Sequence, residues 1–199
     1  MLSFFRLNDP SRILFLLVLA FLLRLPFLFF ELPLSPDHYS WAAIGERYHQ
    51  GFFLYSEIWT NAGPVYVWFL SLGSILFGNS ITGQVFVGTL LIWLSAWVFN
   101  QLVNDLEALK SKSFVPGAVF VFLSAVSFEF FVFSPQLLSL PFLLLSLRYI
   151  LLLFRKDPEE DHLFFSAVFF GLSTAIHPPL LFLAPFFFGR GKFVSLESA

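Results

Sequence analysis

"GPVYVWFLSLGSILFG", residues 63–78, decides how this chain is laid across a membrane. It is continuously apolar, but at about 15 residues it falls short of the roughly 20 that a helix needs to cross about 30 Å of hydrocarbon. If it does not cross, Arg6 and Arg12, Lys110 and Lys112, Arg155 and Lys156, and Arg190 and Lys192 all fall on one side. Only Arg47 is then left in an outer loop. If it crosses, the pairs at 110/112 and 155/156 change sides and the bias collapses. Cytoplasmic loops carry the excess of Lys and Arg, so the first arrangement is expected, with both termini cytoplasmic and 63–78 in the outer interface.

The rest of the composition agrees with a membrane setting. Hydrophobic residues make up 58% of the chain, and Phe alone supplies 31 of 199 positions. Only 12% of residues are charged, whereas a soluble domain carries roughly a quarter. Continuous runs such as "AVFVFLSAV" lack the alternation of a transmembrane barrel strand. The reading is an all-α, polytopic helical membrane protein, a single membrane domain over 1–199 with about six membrane-embedded helices. Spans are expected near 12–30, 81–102, 114–133, 137–154 and 163–177, with a shorter one at 179–189 after a His-Pro-Pro break. The first run is read as a retained signal anchor in the inner or plasma membrane, since no small-x-small cleavage site precedes Pro33. A net charge of −2 suggests no nucleic-acid partner. The absence of cysteine removes disulfides, thiolate nucleophiles and thiolate metal sites.

Residues 31–80 then form one large outer loop. Ser35 can cap a helix that starts at Pro36, and Gly51 can stop it. Trp41, Ile44 and Tyr48 share one face of that helix, which predicts an amphipathic element on the membrane surface, with 63–78 as a second interfacial helix. Chemistry-bearing residues gather near the same plane. Asp37, at a helix start that favours its ionised form, can accept a proton from a bound hydroxyl or amine, or simply cap its helix. Arg24 lies inside the first span, where a charge is costly; it reaches out to Glu31 or binds an anionic phosphate headgroup. Glu129, near the outer end of the 114–133 run, and His177, at the outer turn, are further candidates, each with a structural reading beside the functional one. A transporter is the weakest class, because no internal repeat is visible.

The segments "LLRLPF", "PDHYSWAAI", "GFFLYSEIW", "GPVYVWFLSLGSILFGNS" and "FFGLSTAIHPP" appear in an order and spacing that resemble the membrane glycosyltransferases of the GT-C fold, such as the aminoarabinose and protein mannosyl transferases. The resemblance covers the chain as the N-terminal part of a GT-C-like module. It implies transfer of a sugar from a polyprenyl-phosphate donor to an acceptor at the outer face. It also implies that Asp37 is the residue that binds or deprotonates the acceptor, that His177 contacts the donor phosphate and that Arg24 supports it. His38, Glu57 and Glu129 join the substrate-binding set, and some members of the family use a divalent metal. The chain departs from the pattern at His38, where a second acid is usual, and at Gly63, where a basic residue is common. It departs again at "FSPQLL", where the family is often acidic. The alternative function is a non-catalytic membrane subunit that keeps the fold to bind lipid or a membrane-protein partner.

Overall fold

The computed structural model describes residues 10–29, 36–77, 80–106, 113–127, 130–154 and 161–188. The regular elements among them are all helical: α1 (Pro10–Phe29), α2 (Pro36–His49), α3 (Pro64–Phe77), α4 (Ile81–Asp105), α5 (Val115–Ser124), α6 (Pro135–Leu152), α7 (Asp161–Ile176), a 3-10 helix (Pro178–Leu183) and α8 (Ala184–Phe188). Three helices are long and apolar enough to cross a membrane, over Arg12–Phe29, Thr82–Asp105 and Pro135–Leu152. α3, α5, α7 and the 3-10/α8 segment are shorter and equally apolar.

Local chemistry sets most boundaries. Ser80 and Ser134 are extended N-caps whose hydroxyls accept from Gly83 N–H at 3.1 Å and Leu137 N–H at 3.2 Å, starting α4 and α6. α2 ends as expected at Gly51, whose φ of +92° suits a residue without Cβ. Phe52 N–H returns to the Arg47 carbonyl and Gly51 N–H to that of Tyr48, the paired bonds of a Schellman stop. α7 cannot continue through Pro178 and Pro179.

The long helices pack in alternating directions. Ile13 of α1 meets Trp93 of α4 through a 3.0 Å bond from the indole N–H to the Ile13 carbonyl, while Phe27 and Leu28 pack near Val85. α1 and α4 are therefore antiparallel, and the end of α1 lies beside the start of α4. α5 returns along α4, with Gly117 beside Asn100 and Val121 beside Ile92. α6 runs parallel to α4: Leu137 lies against Gly88, and Arg148 Nε pairs with Asp105 Oδ2 at 2.6 Å. α7 comes back along α6. There Ser146 and Ser166 each donate a hydroxyl to the other's carbonyl, at 2.8 and 3.0 Å, and their small side chains let the helices approach closely.

α5 is the main correction to the sequence reading. The expected span 114–133 is a helix only as far as Ser124, ten residues long. Beyond it the described residues are largely non-helical until Ser134, yet Phe131, Val132, Phe133 and Ser134 are buried. Two features oppose a continuous helix. Ser134 precedes a proline and is extended (φ −132°, ψ 159°). The carbonyls freed in this stretch also find side-chain partners elsewhere. An apolar run reads the same whether it is helical or buried and irregular.

The far end of the bundle has its own polar lock. Asn104 bonds both the N–H and the carbonyl of Ser113 at 3.0 Å, and Asn100 Oδ1 accepts from Gly117 N–H at 2.9 Å. Phe114, the residue at the N-cap of α5, provides no side-chain bond, so Asn100 caps that helix from α4. A Cβ on Gly117 would lie 3.1 Å from the Ala96 carbonyl and 3.2 Å from Asn100 Cβ. Gly117→Val is expected to destabilise the bundle by about 1–3 kcal/mol through overpacking, and Asn100→Ala by a similar amount through a buried, unmet N–H. Thermal unfolding of the detergent-solubilised chain measures both; unchanged melting would contradict the close α1–α4–α5 contact.

Candidate functional site

The alternation of the helices gathers one set of termini at a single end: the end of α1, the start of α4, the end of α5, the start of α6 and the end of α7. Of the expected site residues, Arg24 is near the end of α1 and His177 follows the end of α7. Asp37 and His38 stand in the first turn of α2. Their side chains, and Glu31 and Glu129 altogether, lie outside the described residues.

α2 and α3 dock here through their aromatic faces. The face identified from Trp41, Ile44 and Tyr48 packs against a core of Ala62, Tyr66, Val67, Leu70, Phe133, Leu138 and Ile176. Trp41 sits one turn beyond Asp37 and meets Tyr66 edge-on at 5.4 Å. Tyr66 is fully buried and stacks on Phe133 at 5.2 Å, and its hydroxyl donates to the Phe133 carbonyl at 3.0 Å. Burial raises the phenol well above its ordinary pKa, so it remains a donor at any physiological pH.

Gly63 joins the connection before α3 to α7. Its N–H donates to the Ile176 carbonyl at 2.9 Å, capping the end of that helix. A Cβ at position 63 would fall 1.8 Å from the Ala175 carbonyl oxygen, so no side chain fits while the loop is docked. The basic residue common at this point in the GT-C pattern is thus excluded by backbone packing. His177 follows directly. Its backbone bonds to Ser173 and Leu180, while its buried Nδ1 has no hydrogen-bond partner. Burial lowers the pKa of the imidazole, which favours its neutral form.

Arg24 has its described partners within the bundle, while Glu31, the carboxylate expected beside it, lies outside the described residues. Arg24 is 0% exposed. Its Nη2 donates to Ser124 Oγ at 3.1 Å and to the Phe130 carbonyl at 3.4 Å, and its guanidinium carbon lies 5.1 Å from the centre of the Phe131 ring. Nε and Nη1 have no hydrogen-bond partner. The guanidinium therefore joins the end of α5 to the irregular stretch beyond it. Ser134, Tyr66 and Gly63 are the residues that sequence reasoning missed; the Ser-Pro step at 134–135 was the available signal for the first.

Glu57 is also engaged locally. Its Oε2 accepts from the Phe53 N–H at 2.6 Å, closing its own loop. Among the described residues no three His, Asp or Glu side chains come together as metal ligands. The structure thus brings α2, Gly63, Tyr66 and His177 to one face, and leaves Arg24 behind it in the core. No family model, curated protein or solved structure matches the chain.

If Arg24 is structural, Arg24→Ala destabilises the protein by about 2–4 kcal/mol, from the cavity and the unmet carbonyl together. Arg24→Met keeps the volume and should lose less than half of that. Thermal melts of the two variants compare them directly; equal losses would assign the stability to the charge and not to packing.

Proposed function

We propose that the chain is a GT-C-like module of an integral membrane glycosyltransferase, working on a polyprenyl-phosphate sugar donor at the outer membrane face. The observation that carries the reading is the docking of the outer loop on the α7 break through Gly63 and Tyr66. It gathers the first turn of α2, which bears Asp37, and the 177 position at one end of the bundle. In this reading Asp37 accepts the acceptor's proton and His177 meets the donor's phosphate. A neutral imidazole can donate one hydrogen bond to a phosphate oxygen, and becomes a cationic partner only on protonation. Arg24 holds the backbone behind the site and does not touch the donor. A divalent ion, if one takes part, would draw on Asp37 and on donor oxygens.

The topology assigned from charge has independent support. The end of α1 and the start of α4 lie together, so the chain between them crosses the bilayer an even number of times. α2 is polar and only 14 residues long, so it does not cross; α3 then does not cross either. α3 also packs chiefly on α2 and only slightly on α4, unlike the long α6–α7 seam of a hairpin.

A second reading is favoured by Arg24 and Gly63, the positions where expected phosphate contacts are sealed or missing. In it the fold persists in a non-catalytic subunit that binds lipid or a membrane protein. Asp37→Asn separates the two, since it keeps shape and removes the base. Transfer of labelled sugar should fall about 10²-fold or more, with folding unchanged. Undiminished transfer would remove Asp37 from the mechanism, and a wild-type chain that transfers no sugar in its complete assembly would favour the subunit. For topology, a cysteine at 50 should react with an impermeant reagent added outside, and one at 110 should not; labelling at 110 would overturn the arrangement.

A further inference from the structure

The apolar face of α2 is covered by α3, so the aromatic surface left free in the outer loop lies elsewhere. Beside Tyr39 and Trp68, which are about half exposed, the most open of it is on the connection between Gly51 and Gly63. There Phe53 is 72% and Trp59 88% exposed, with Phe52 and Tyr55 also largely open.

This connection is firmly built. Leu54 and Ile58 form a bridge, Ile58 is buried, and both Glu57 N–H and Ile58 N–H return to the Phe53 carbonyl. The Glu57 carboxylate holds the Phe53 N–H. Tyr55 adopts φ +67°, unusual for a bulky residue, and its hydroxyl donates to the Ala62 carbonyl at 2.9 Å. Such a conformation persists only where its surroundings fix it. A firm loop that turns Phe and Trp outward needs an apolar partner.

Its level on the bundle identifies that partner. α6, with 18 residues, is about 27 Å long at about 1.5 Å per residue, close to the thickness of the hydrocarbon core. The start of α6 therefore marks the outer boundary. Tyr66 binds the Phe133 carbonyl just before that start, and Gly63 is bonded to Ile176 on the adjoining helix. Residues 52–59 are only a few residues from this fixed point. Among the described residues Trp59 has no hydrogen-bond partner, and at 88% exposure its indole N–H is open to the surroundings. The Arg47 guanidinium lies 5.6 Å from the centre of the Phe52 ring at the same tip. Aromatic rings with a free polar edge beside a cation suit the zone of phosphates and ester carbonyls.

We propose that Phe52–Trp59 is a rigid aromatic hook that seats Phe53 and Trp59 among the phospholipid headgroups of the outer leaflet. The inference rests on the spanning reading of the bundle and not on the transferase.

The chain has no cysteine, so single probes can be placed cleanly in the full-length protein. Phe53→Cys, Trp59→Cys, His49→Cys and Leu22→Cys variants, each carrying an environment-sensitive fluorophore, are reconstituted in phosphatidylethanolamine/phosphatidylglycerol vesicles. Nitroxide lipids labelled near the headgroup or deep in the chain, and aqueous iodide, serve as quenchers. Leu22, an exposed residue of α1, reports on the spanning reading through the deep nitroxide. Probes at 53 and 59 should be quenched several-fold more than the probe at 49 by the shallow nitroxide, and less by iodide. Iodide quenching at 53 and 59 equal to that at 49, with position 22 still quenched from the lipid, overturns the hook alone. Loss of lipid quenching at position 22 overturns the spanning reading and the hook with it.

Discussion

A backbone carbonyl without a partner is expensive in hydrocarbon, and this fold contains a buried stretch where the helix stops and carbonyls come free. Arg24 and Tyr66 supply the answer. One takes the Phe130 carbonyl from α1, and the other takes the Phe133 carbonyl from α3. Their two bonds meet the Phe130 and Phe133 carbonyls between the early end of ten-residue α5 and the Ser134 cap of α6. Gly88 allows the approach, since a Cβ there would lie 2.9 Å from the Phe131 carbonyl oxygen. Helix α4 must present its backbone at this point for the irregular segment to fit.

The arrangement of the outer end follows from that segment. Because Tyr66 is bound to Phe133, α3 is fixed at the level where α6 begins, and Trp41 carries α2 to the same place. Gly63 extends the attachment to α7. The polar loop is therefore mounted on the ends of several helices together. A site on rigid elements holds its geometry better than one on a free loop, which is what a lipid-phosphate substrate at the boundary would require. The same mounting draws Arg24 inward and makes it part of the support.

The sequence made some of this readable. Runs of apolar residues located α1, α4, α6 and α7 to within a few positions, and Gly51 marked its stop, because length, proline and glycine act locally. The length of 63–78 set it apart from the longer runs, as the 14-residue α3 shows. The break after Ser124 was hidden, since Phe and Val suit a buried irregular chain as well as a helix. The role of Arg24 was hidden for another reason: its partners lie about a hundred positions away, and neither Ser124 nor Phe130 carries a charge that would signal them. Asn100 and Asn104 passed as ordinary polar residues, though both hold the start of α5. For Asp37 the sequence placed the helix start correctly, and its chemistry remains a matter for the transfer assay.

The distance in sequence between Arg24 and Ser124 bears on biogenesis. These residues are 100 positions apart, and a ribosome adds roughly 5–20 residues per second. α1 must therefore wait roughly 5–20 seconds for α5 to be made. Throughout that interval a helix carrying an unaccompanied arginine has to be held by the insertion machinery, by lipid headgroups or by water. Gly63 waits longer still for Ile176. A ribosome stalled between α4 and α5 would leave an inserted but open intermediate, with α1 packed on α4 and Arg24 still without its partners.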